Sequence, residues 1–596
     1  MKKKYVRWTL WTIASPFILF IILCILIYLP PIQNFLVDKA AVYASEATGM
    51  NISVGRISLS FPLNLVVTNV DAASPHNDTL LSVRRLQVNV QLLPLLKKQV
   101  EVDGISLQGA TVNSNDLIHG MKLNGTLGEL FISSHGVALH PETAIVNKVL
   151  LKDTDLSLCL NDTAAADTAA SDTTYWKIIL QDIDLQNVSF ALDMPLDSLS
   201  LAASLDNAIL RDGLIDLHKS AYSLQTFRIE NGRVRYDNGK PLAADSLSSG
   251  LDPSHIALTD IGVKLDSLYY GGRNMKAIIS QFVLKERSGV EIVSATGRMV
   301  SNDKVLRVPS LKLETRDSYL ELNAAMDWNA LDFKDEGLVS ARLMADIGKP
   351  DVVRFMGSMD EKFIRQYPSE PLRIRTGIDG DLNKLKLTTL TAELPGALGL
   401  FARGELTHLT DSLLRGGDIT LEAETKDLKF VSTLAEGIEI PYGTRLEGKF
   451  TMAGTKMGTD LLLMQPEAQA VVAADTIPIT VYNDSISVAD DFKMERAARL
   501  FAKYDLSRDR YEADLAVNHF DLHQFMPADS LYTLSTRLKV EGEGFDFFSP
   551  RTYFNAEGGI DRFHYGSYHL TGISLAAGLE LSLIHISEPT RRSYIS

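Results

Sequence analysis

From Asn51 onward, apolar and polar residues alternate with period two. Ile52 and Val54, Ile57 and Leu59, then Leu63, Leu65 and Val67, Leu86, Val88 and Val90, and Val100 and Val102 stand between mostly polar neighbours. Successive side chains of a strand point to opposite faces, so this pattern predicts half-buried β-strands. It continues with few interruptions for about 500 residues. No regular helical period separates the strands, which argues against βαβ units and a parallel sheet. At about 12 residues per strand and turn, the stretch has room for about 44 strands.

A local design repeats within this pattern. Val102, Ile105, Leu107, Ala110 and Val112 share their spacing with Val146, Val149, Leu151, Thr154 and Leu156. The spacing returns at Leu180, Ile183, Leu185, Val188 and Phe190, and again at Leu224, Phe227, Ile229, Gly232 and Val234. Before the fourth member of each set stands Gly109, Asp153, Asn187 or Asn231. These residue types tolerate positive φ. The apolar parity flips at the same place, as a bulge or tight turn would make it. The unit therefore reads as a strand, a bend and a strand that keep one apolar face, in a loose rather than strict repeat. A second element, apolar-x-Gly-charged-apolar, surrounds Gly297, Gly380, Gly404 and Gly448, with a variant at Gly542. A glycine inside a strand marks a bulge or a close backbone approach; hairpin punctuation is the other reading.

Three segments break the pattern. Residues 163–174 (TAAADTAASDTT) are low-complexity and read as a mobile loop. Residues 351–366 carry Val352, Met356, Met359 and Phe363 at helical spacing before Pro368 and predict one helix. Residues 490–503 fit either a charged helix or a strand.

The ends add a membrane and a warning. Trp8 to Leu29 is uncharged and, at 1.5 Å per residue, long enough to cross a hydrocarbon core of about 30 Å. Lys2, Lys3, Lys4 and Arg7 precede it, so the positive-inside rule keeps residues 1–7 cytoplasmic and exports the rest of the chain. The run is long and no small-x-small cleavage site stands after it, which favours an uncleaved anchor over a signal peptide. Pro30 and Pro31 end the span, and residues 30–49 form an amphipathic segment with Gly49 as its C-cap. At the other end, LSLIHISEPTR (581–591) resembles the translation of a sequencing adapter. Residues 581–596 are then foreign, and native sequence stops near Leu579 or Glu580.

Composition narrows function by exclusion. Of 596 residues, 45% are hydrophobic and 22% charged, which is ordinary globular usage. The net charge of −15 makes nucleic acid a poor partner, since phosphate backbones require a basic footprint. Cys24 lies in the apolar run and Cys159 stands alone, so the cysteines build neither a disulfide framework nor a metal site. No Gly-Lys-Ser/Thr, G-x-G-x-x-G, H-E-x-x-H or G-x-S-x-G motif occurs. His519 and His523 have metal-ligand spacing only on a helix, and NHFDLHQFMP reads as strand and turn. Asp379, Asp381 and Asn383 mimic part of a calcium loop but lack its later ligands and read as a hairpin turn. The chain is thus expected to be no enzyme, with no cofactor and no metal. What remains is a long apolar face, which either a second sheet covers or an apolar ligand occupies.

The order of basic tip, single span, amphipathic helix and NISVGRISLSFPLNLVVTNV resembles the start of AsmA-like and TamB-like proteins. LRVPSLKLETRDSYLEL (306–322), GDLNKLKLTTLTAELPG (380–396) and the stretch ending Phe525-Met-Pro-Ala-Asp529 are similar to the TamB branch of Bacteroidota-like bacteria. The resemblance covers most of residues 1–580 through degenerate motifs; no counterpart of the family's C-terminal domain is seen. It implies a mainly β fold: one transmembrane helix, then over 50–580 an elongated, curved β-sheet groove of AsmA/TamB-like repeats with few short helices. It implies a single-pass inner-membrane protein with its bulk in the periplasm. Its partners would be phospholipids, the inner membrane and a BamA-like outer-membrane barrel reached through that C-terminal domain. The resemblance implies one of two activities: passive phospholipid transport to the outer membrane, or a scaffold or chaperone role in the translocation and assembly module for outer-membrane proteins. On the groove reading, Ile105, Leu107, Val149, Leu151, Ile183, Leu185, Phe227 and Ile229 line the lipid path.

Overall fold

The computed structural model describes residues 50–580 apart from 61–63, 75–78, 92–101, 115–120, 139–141, 161–175, 241–249, 334–335, 357–359, 435–436, 466–479, 483–484, 488–495 and 547–551, together with 41–42, 45 and 583–585. The expected span 8–29, nearly all of segment 30–49, the 163–174 loop and the adapter-like tail other than 583–585 lie outside the described residues. Among the described residues no helix is long and apolar enough to cross a membrane. The chain forms two compact units, one of Met1–Ala244 with Leu251–Val293 and one of Asp245–Gly250 with Ser294–Ser596. Both are mainly β.

The first unit is built from β1 (Asn51–Ser60), β2 (Asn64–Ala73), β3 (Thr79–Val90), β4 (Val102–Asn113), β5 (Met121–Ala138) and β6 (Thr143–Leu160). It continues with β7 (Lys177–Met194), β8 (Leu199–Asp216), β9 (Ala221–Leu224), β10 (Thr226–Asp237), β11 (His255–Gly271) and β12 (Asn274–Glu286). The unit boundary falls within β13 (Glu291–Ser301). Strands β1 to β6 form an antiparallel ladder in sequence order. β6 and β7 then pair in parallel, which the alternation did not predict. Their register offset is 34 residues: Val146 faces Leu180, Val149 faces Ile183 and Leu151 faces Leu185. This is the offset between two copies of the repeat, so like positions sit side by side. The ladder resumes antiparallel through β8, β10, β11 and β12.

The bend residues of the repeat behave as their chemistry requires. Gly109, Asp153, Asn187 and Asn231 have φ of 62°, 48°, 50° and 54°, and Asn69 of β2 has 54°. At each of the first three the flanking pairs on both strands advance by two; Leu127 faces Thr154 and Glu129 faces Lys152, so Gly128 lies opposite Asp153. There the feature is an aligned bend shared by neighbours rather than a one-residue bulge. The bends make a seam across the sheet. Asn187 Nδ2 donates to Asp153 Oδ1 at 2.9 Å, and Asn231 Nδ2 donates to Asp206.

The second unit includes β14 (Val305–Thr315), β15 (Tyr319–Asp327), β16 (Leu338–Ile347), β17 (Leu372–Asp381), β18 (Lys384–Leu394), β19 (Leu398–Thr407) and β20 (Gly416–Thr425). It goes on with β21 (Arg445–Ala453), β22 (Lys456–Gln465), β23 (Thr480–Tyr482), β24 (Ser485–Ser487), β25 (Arg496–Asp505) and β26 (Arg510–Asp521). β27 (Leu531–Glu543), β28 (Tyr553–Tyr565), β29 (Tyr568–Glu580) and β30 (Leu583–His585) complete it. From β14 to β22 and from β25 to β30 each strand pairs antiparallel with the next, and β22 pairs with β25. β23 and β24 form a separate hairpin. Residues 496–505 are therefore strand, which decides the ambiguous segment from 496 onward; 490–495 lie outside the described residues. The strands are fewer and longer than a 12-residue repeat implies; β5, β6, β7 and β8 each run 18 residues.

The expected single helix at 351–366 is two: α1 (Lys349–Met356) and α2 (Glu361–Gln366). Asp360 takes an extended ψ of 139°, and its side chain accepts from the Lys362 N–H, so it N-caps α2 and breaks the helical run. α2 closes the end of the sheet. Phe363 and Tyr367 pack with Leu394, Ala397, Leu428 and Phe430 into a buried cluster, with Phe363 and Phe430 edge to face at 5.6 Å. Burial there holds the Tyr367 phenol above its ordinary range.

α1 is fixed by a buried carboxylate. Asp351 is 1% exposed and accepts from Ser318 Oγ at 2.6 Å and from Thr315 Oγ1, while Arg354 Nη1 reaches its Oδ1 at 3.0 Å. Truncation would leave two hydroxyls and a guanidinium without their shared acceptor. Asp351→Ala is expected to cost about 3 kcal/mol, with Asp351→Asn recovering part of it. Urea unfolding of both variants measures this, and a wild-type midpoint for Asp351→Ala would contradict it.

Candidate functional site: an apolar face

The ladder of the first unit aligns the apolar positions of the repeat into two transverse rows. One row runs Leu59, Leu65, Val88, Ile105, Ile132, Val149, Ile183, Leu210, Phe227, Leu265, Ile279. The other runs Ile57, Val67, Leu86, Leu107, Leu130, Leu151, Leu185, Ala208, Ile229, Val263, Phe282. In β1–β8, β10 and β11 the rows are two residues apart, so they share a face; in β12 Ile279 and Phe282 are three apart, across a register shift. All eight residues expected to line an apolar path fall on them. The two rows contain no polar or titratable side chain.

These side chains are neither buried nor fully exposed. Across both rows only Ala208, at 4%, is buried; the others keep intermediate exposure. Lateral neighbours shield them, but the main contacts of the described strands in this unit are with ladder neighbours, not with a second layer. A closed sandwich would bury inward positions almost completely. Full burial of one Leu or Ile is worth about 1.5–3 kcal/mol, so an uncovered pair of rows leaves much of that stabilisation unrealised. Beyond the seam the face continues through Val70, Val83, Ala110, Leu127, Val188 and Leu205. Thr154 enters this stretch with its hydroxyl turned onto the Lys152 carbonyl at 3.1 Å.

The opposite face carries the charge. Arg56, Thr68, Arg85, Gln108, Glu129, Lys152, Gln186, Asn207 and Glu230 form an unbroken polar row. Neighbouring strands are tied by side chains there: Ser82 to Asp71 at 2.6 Å, Ser189 to Asp155 at 2.8 Å, and Arg211 to Asp182 and to Asp184, the latter at 3.2 Å. At the rim, the His255 hydrogen bond and the Ser254 N–H hold the Asp252 carboxyl below its ordinary range.

The second unit carries a comparable but diluted row. Leu311, Leu322, Leu343, Thr376, Leu390, Ala402, Leu421, Gly448, Leu461, Leu500, Leu515, Leu538, Gly558 and Leu575 succeed one another. The glycines of the second sequence element lie inside strands, not at hairpin turns. At Gly404 a side chain would collide with the backbone of β20, so the close-approach reading holds there.

The remaining polar candidates are engaged locally. His519 Nδ1 meets Asn518 Oδ1 at 2.8 Å and His523 Nδ1 meets the Asp529 carbonyl at 3.1 Å, so the two do not converge. Asp381 Oδ1 accepts from the Asn383 and Lys384 N–H groups at 2.9 and 2.7 Å, capping the β17–β18 hairpin. Among the described residues no group of three or more His, Cys, Asp or Glu could hold a metal ion.

The repeat template found eight of the 22 row positions. It matches β4, β6, β7 and β10, which all run in one direction. Leu130 and Ile132 of β5, Ala208 and Leu210 of β8, and Val263 and Leu265 of β11 were missed. Antiparallel neighbours meet the seam from the other side, so their spacing is the template reversed: Leu127, Leu130 and Ile132 in β5, for example. No protein-family model matches this chain, and no curated protein matches it.

Proposed function

We propose that this chain is an inner-membrane-anchored periplasmic bridge that carries phospholipid passively toward the outer membrane, its acyl chains lying along the two apolar rows. The supporting observation is the pair of charge-free rows, two residues from each of β1–β8 and β10–β12, which no described layer covers. Each CH₂ moved into water costs about 0.8 kcal/mol, and a diacyl lipid has on the order of 30, so an aqueous crossing faces a barrier of roughly 20 kcal/mol or more. A continuous apolar trough lowers that barrier while the head group stays in water. On this reading Trp8–Leu29 is the anchor, the sheet is an elongated, curved groove of the AsmA/TamB kind, and a BamA-like barrel is the outer-membrane partner.

A photocrosslinking residue at Ile183 is expected to capture phospholipid in cells, and one at Gln186, on the polar row, is not. Equal capture at both positions, or at neither, would remove the support for a lipid path. A scaffold for outer-membrane proteins is the second reading. It is favoured by the place of β1 at the end of the ladder: among the described residues its one strand partner is β2, while Ser45 Oγ already takes the Ile52 N–H at 3.0 Å, so a client strand would pair along Val54–Ser58. Crosslinks from β1 to nascent barrels without lipid at Ile183 would select it.

A further inference from the structure

The second unit holds a cavity that the lipid reading does not use. The β21–β22 and β25–β26 hairpins lie side by side because β22 pairs with β25. Two rows cross these four strands on either side of the row Met452, Met457, Tyr504, Tyr511, of which Met457 and Tyr504 also border the cavity. One is Thr451, Gly458, Lys503, Glu512 and the next is Ala453, Lys456, Asp505, Arg510. With Phe501 and Arg508 they line a cavity of about 460 Å³, within the size range of small-molecule sites.

Its charge runs against that of the chain. The whole sequence is at −15, yet this lining carries Lys456, Lys503, Arg508 and Arg510 against Asp505 and Glu512. Arg510 engages Glu512 at 3.9 Å. Asp505 spends its Oδ1 on Thr455 Oγ1 at 2.9 Å, Ser507 Oγ at 2.7 Å and the Ser507 N–H at 3.0 Å. Ser507 and Thr455 thereby hold its carboxyl down at about 2. Lys456, Lys503 and Arg508 form no ion pair with a described carboxylate. Gly458 contributes no side chain to the lining, and Phe501, 41% exposed, forms a wall with Lys503 Nζ 5.0 Å from its ring centroid. Lys456 also acts on the Asp505 carboxylate, yet four cations face only two carboxylates, and the exposed Phe501 ring wets; one occupant with an anionic head and a carbon body relieves both.

We infer that this cavity binds a small organic phosphate, with the phosphate among Lys456, Lys503, Arg508 and Arg510 and the carbon moiety against Phe501. A phosphate ester matches better than a carboxylate because its three terminal oxygens and near-double charge can meet several cations at once, and guanidinium forks fit it.

Titration calorimetry on the full chain, with phenyl phosphate and inorganic phosphate as soluble probes, tests this. Phenyl phosphate should bind saturably and more tightly than inorganic phosphate. The K456Q/K503Q/R508Q variant should weaken it at least about tenfold. Phe501→Ala should erase the advantage of the phenyl ester, and Lys449→Gln on the same face should change nothing. Circular dichroism confirms that each variant is folded. Absence of saturable binding, or binding untouched by the triple substitution, overturns the proposal. Binding to phosphatidylglycerol vesicles without response to either soluble probe also overturns it and makes the patch a membrane contact. Lipid capture at Ile183 should persist in the triple variant, so failure here leaves the lipid path untouched, and the reverse.

Discussion

Leu185→Asp is expected to reduce lipid transfer at least about a hundredfold while leaving the protein folded. Leu185 stands mid-row between Leu151 and Ala208, on the face that no described layer covers. Its intermediate exposure means that an aspartate there keeps part of its hydration. The fold then loses about 1–2 kcal/mol of lateral burial, which a domain with about 5–15 kcal/mol of stability survives. An acyl chain sliding past is affected differently. It must strip water from the carboxylate or leave the row, and either costs several kcal/mol. Each 1.4 kcal/mol is a factor of ten, which sets the expected magnitude. Gln186→Asp, one residue along and on the polar row, should transfer normally. The measurement is transfer between donor and acceptor vesicles, with far-UV circular dichroism and a melt on the same samples. Normal transfer by a folded Leu185→Asp protein would sink the lipid-path reading.

Gly404→Val should destabilise the second unit by about 3 kcal/mol or more. Gly404 sits between Leu387 and Ile419 in the ladder of β18, β19 and β20. A Cβ placed on it would fall on the Asp418 carbonyl oxygen and come within 2.7 Å of Ile419 Cα. Backbone atoms in the middle of a ladder cannot rotate away, so β19 and β20 would have to separate. Gly448 is the matched control, since it belongs to the same sequence element and also lies within a strand. Its Cβ would meet the Leu461 Cδ2 methyl at 2.9 Å and the Phe450 ring edge at 3.5 Å, both of which can turn, and Leu421 Cβ at 3.7 Å, an ordinary van der Waals contact. Gly448→Val is expected to cost about 1 kcal/mol, offset in part by the strand preference of valine. Urea unfolding separates the two, and equal midpoint shifts would refute the backbone-contact account.

Much of the first unit's apolar face could be read along the chain because its causes are local. Alternation reports which face a strand presents, and glycine, aspartate or asparagine reports where φ turns positive; both survived in β4, β6, β7 and β10. The template failed on β5, β8 and β11 because strand direction is not a local property. The single helix expected at 351–366 failed for a smaller reason. Asp360 lies within an apolar period that continues across it, and periodicity outvotes a cap unless the cap is sought. The phosphate cavity left no trace in the one-dimensional pattern. Lys456 joins Lys503 and Arg508 of the β25–β26 hairpin only because β22 pairs with β25.

The mainly β character, the apolar side of each strand and the places where the first unit bends are thus written in the chain alone. They arise from side-chain sterics and burial over a few residues. Three features required the assembled sheet: β6 and β7 run parallel, the apolar positions join into continuous rows, and no described layer covers them. Those depend on which distant strands pair and in what register, and a period-two pattern fits several registers equally well until the ladder is formed.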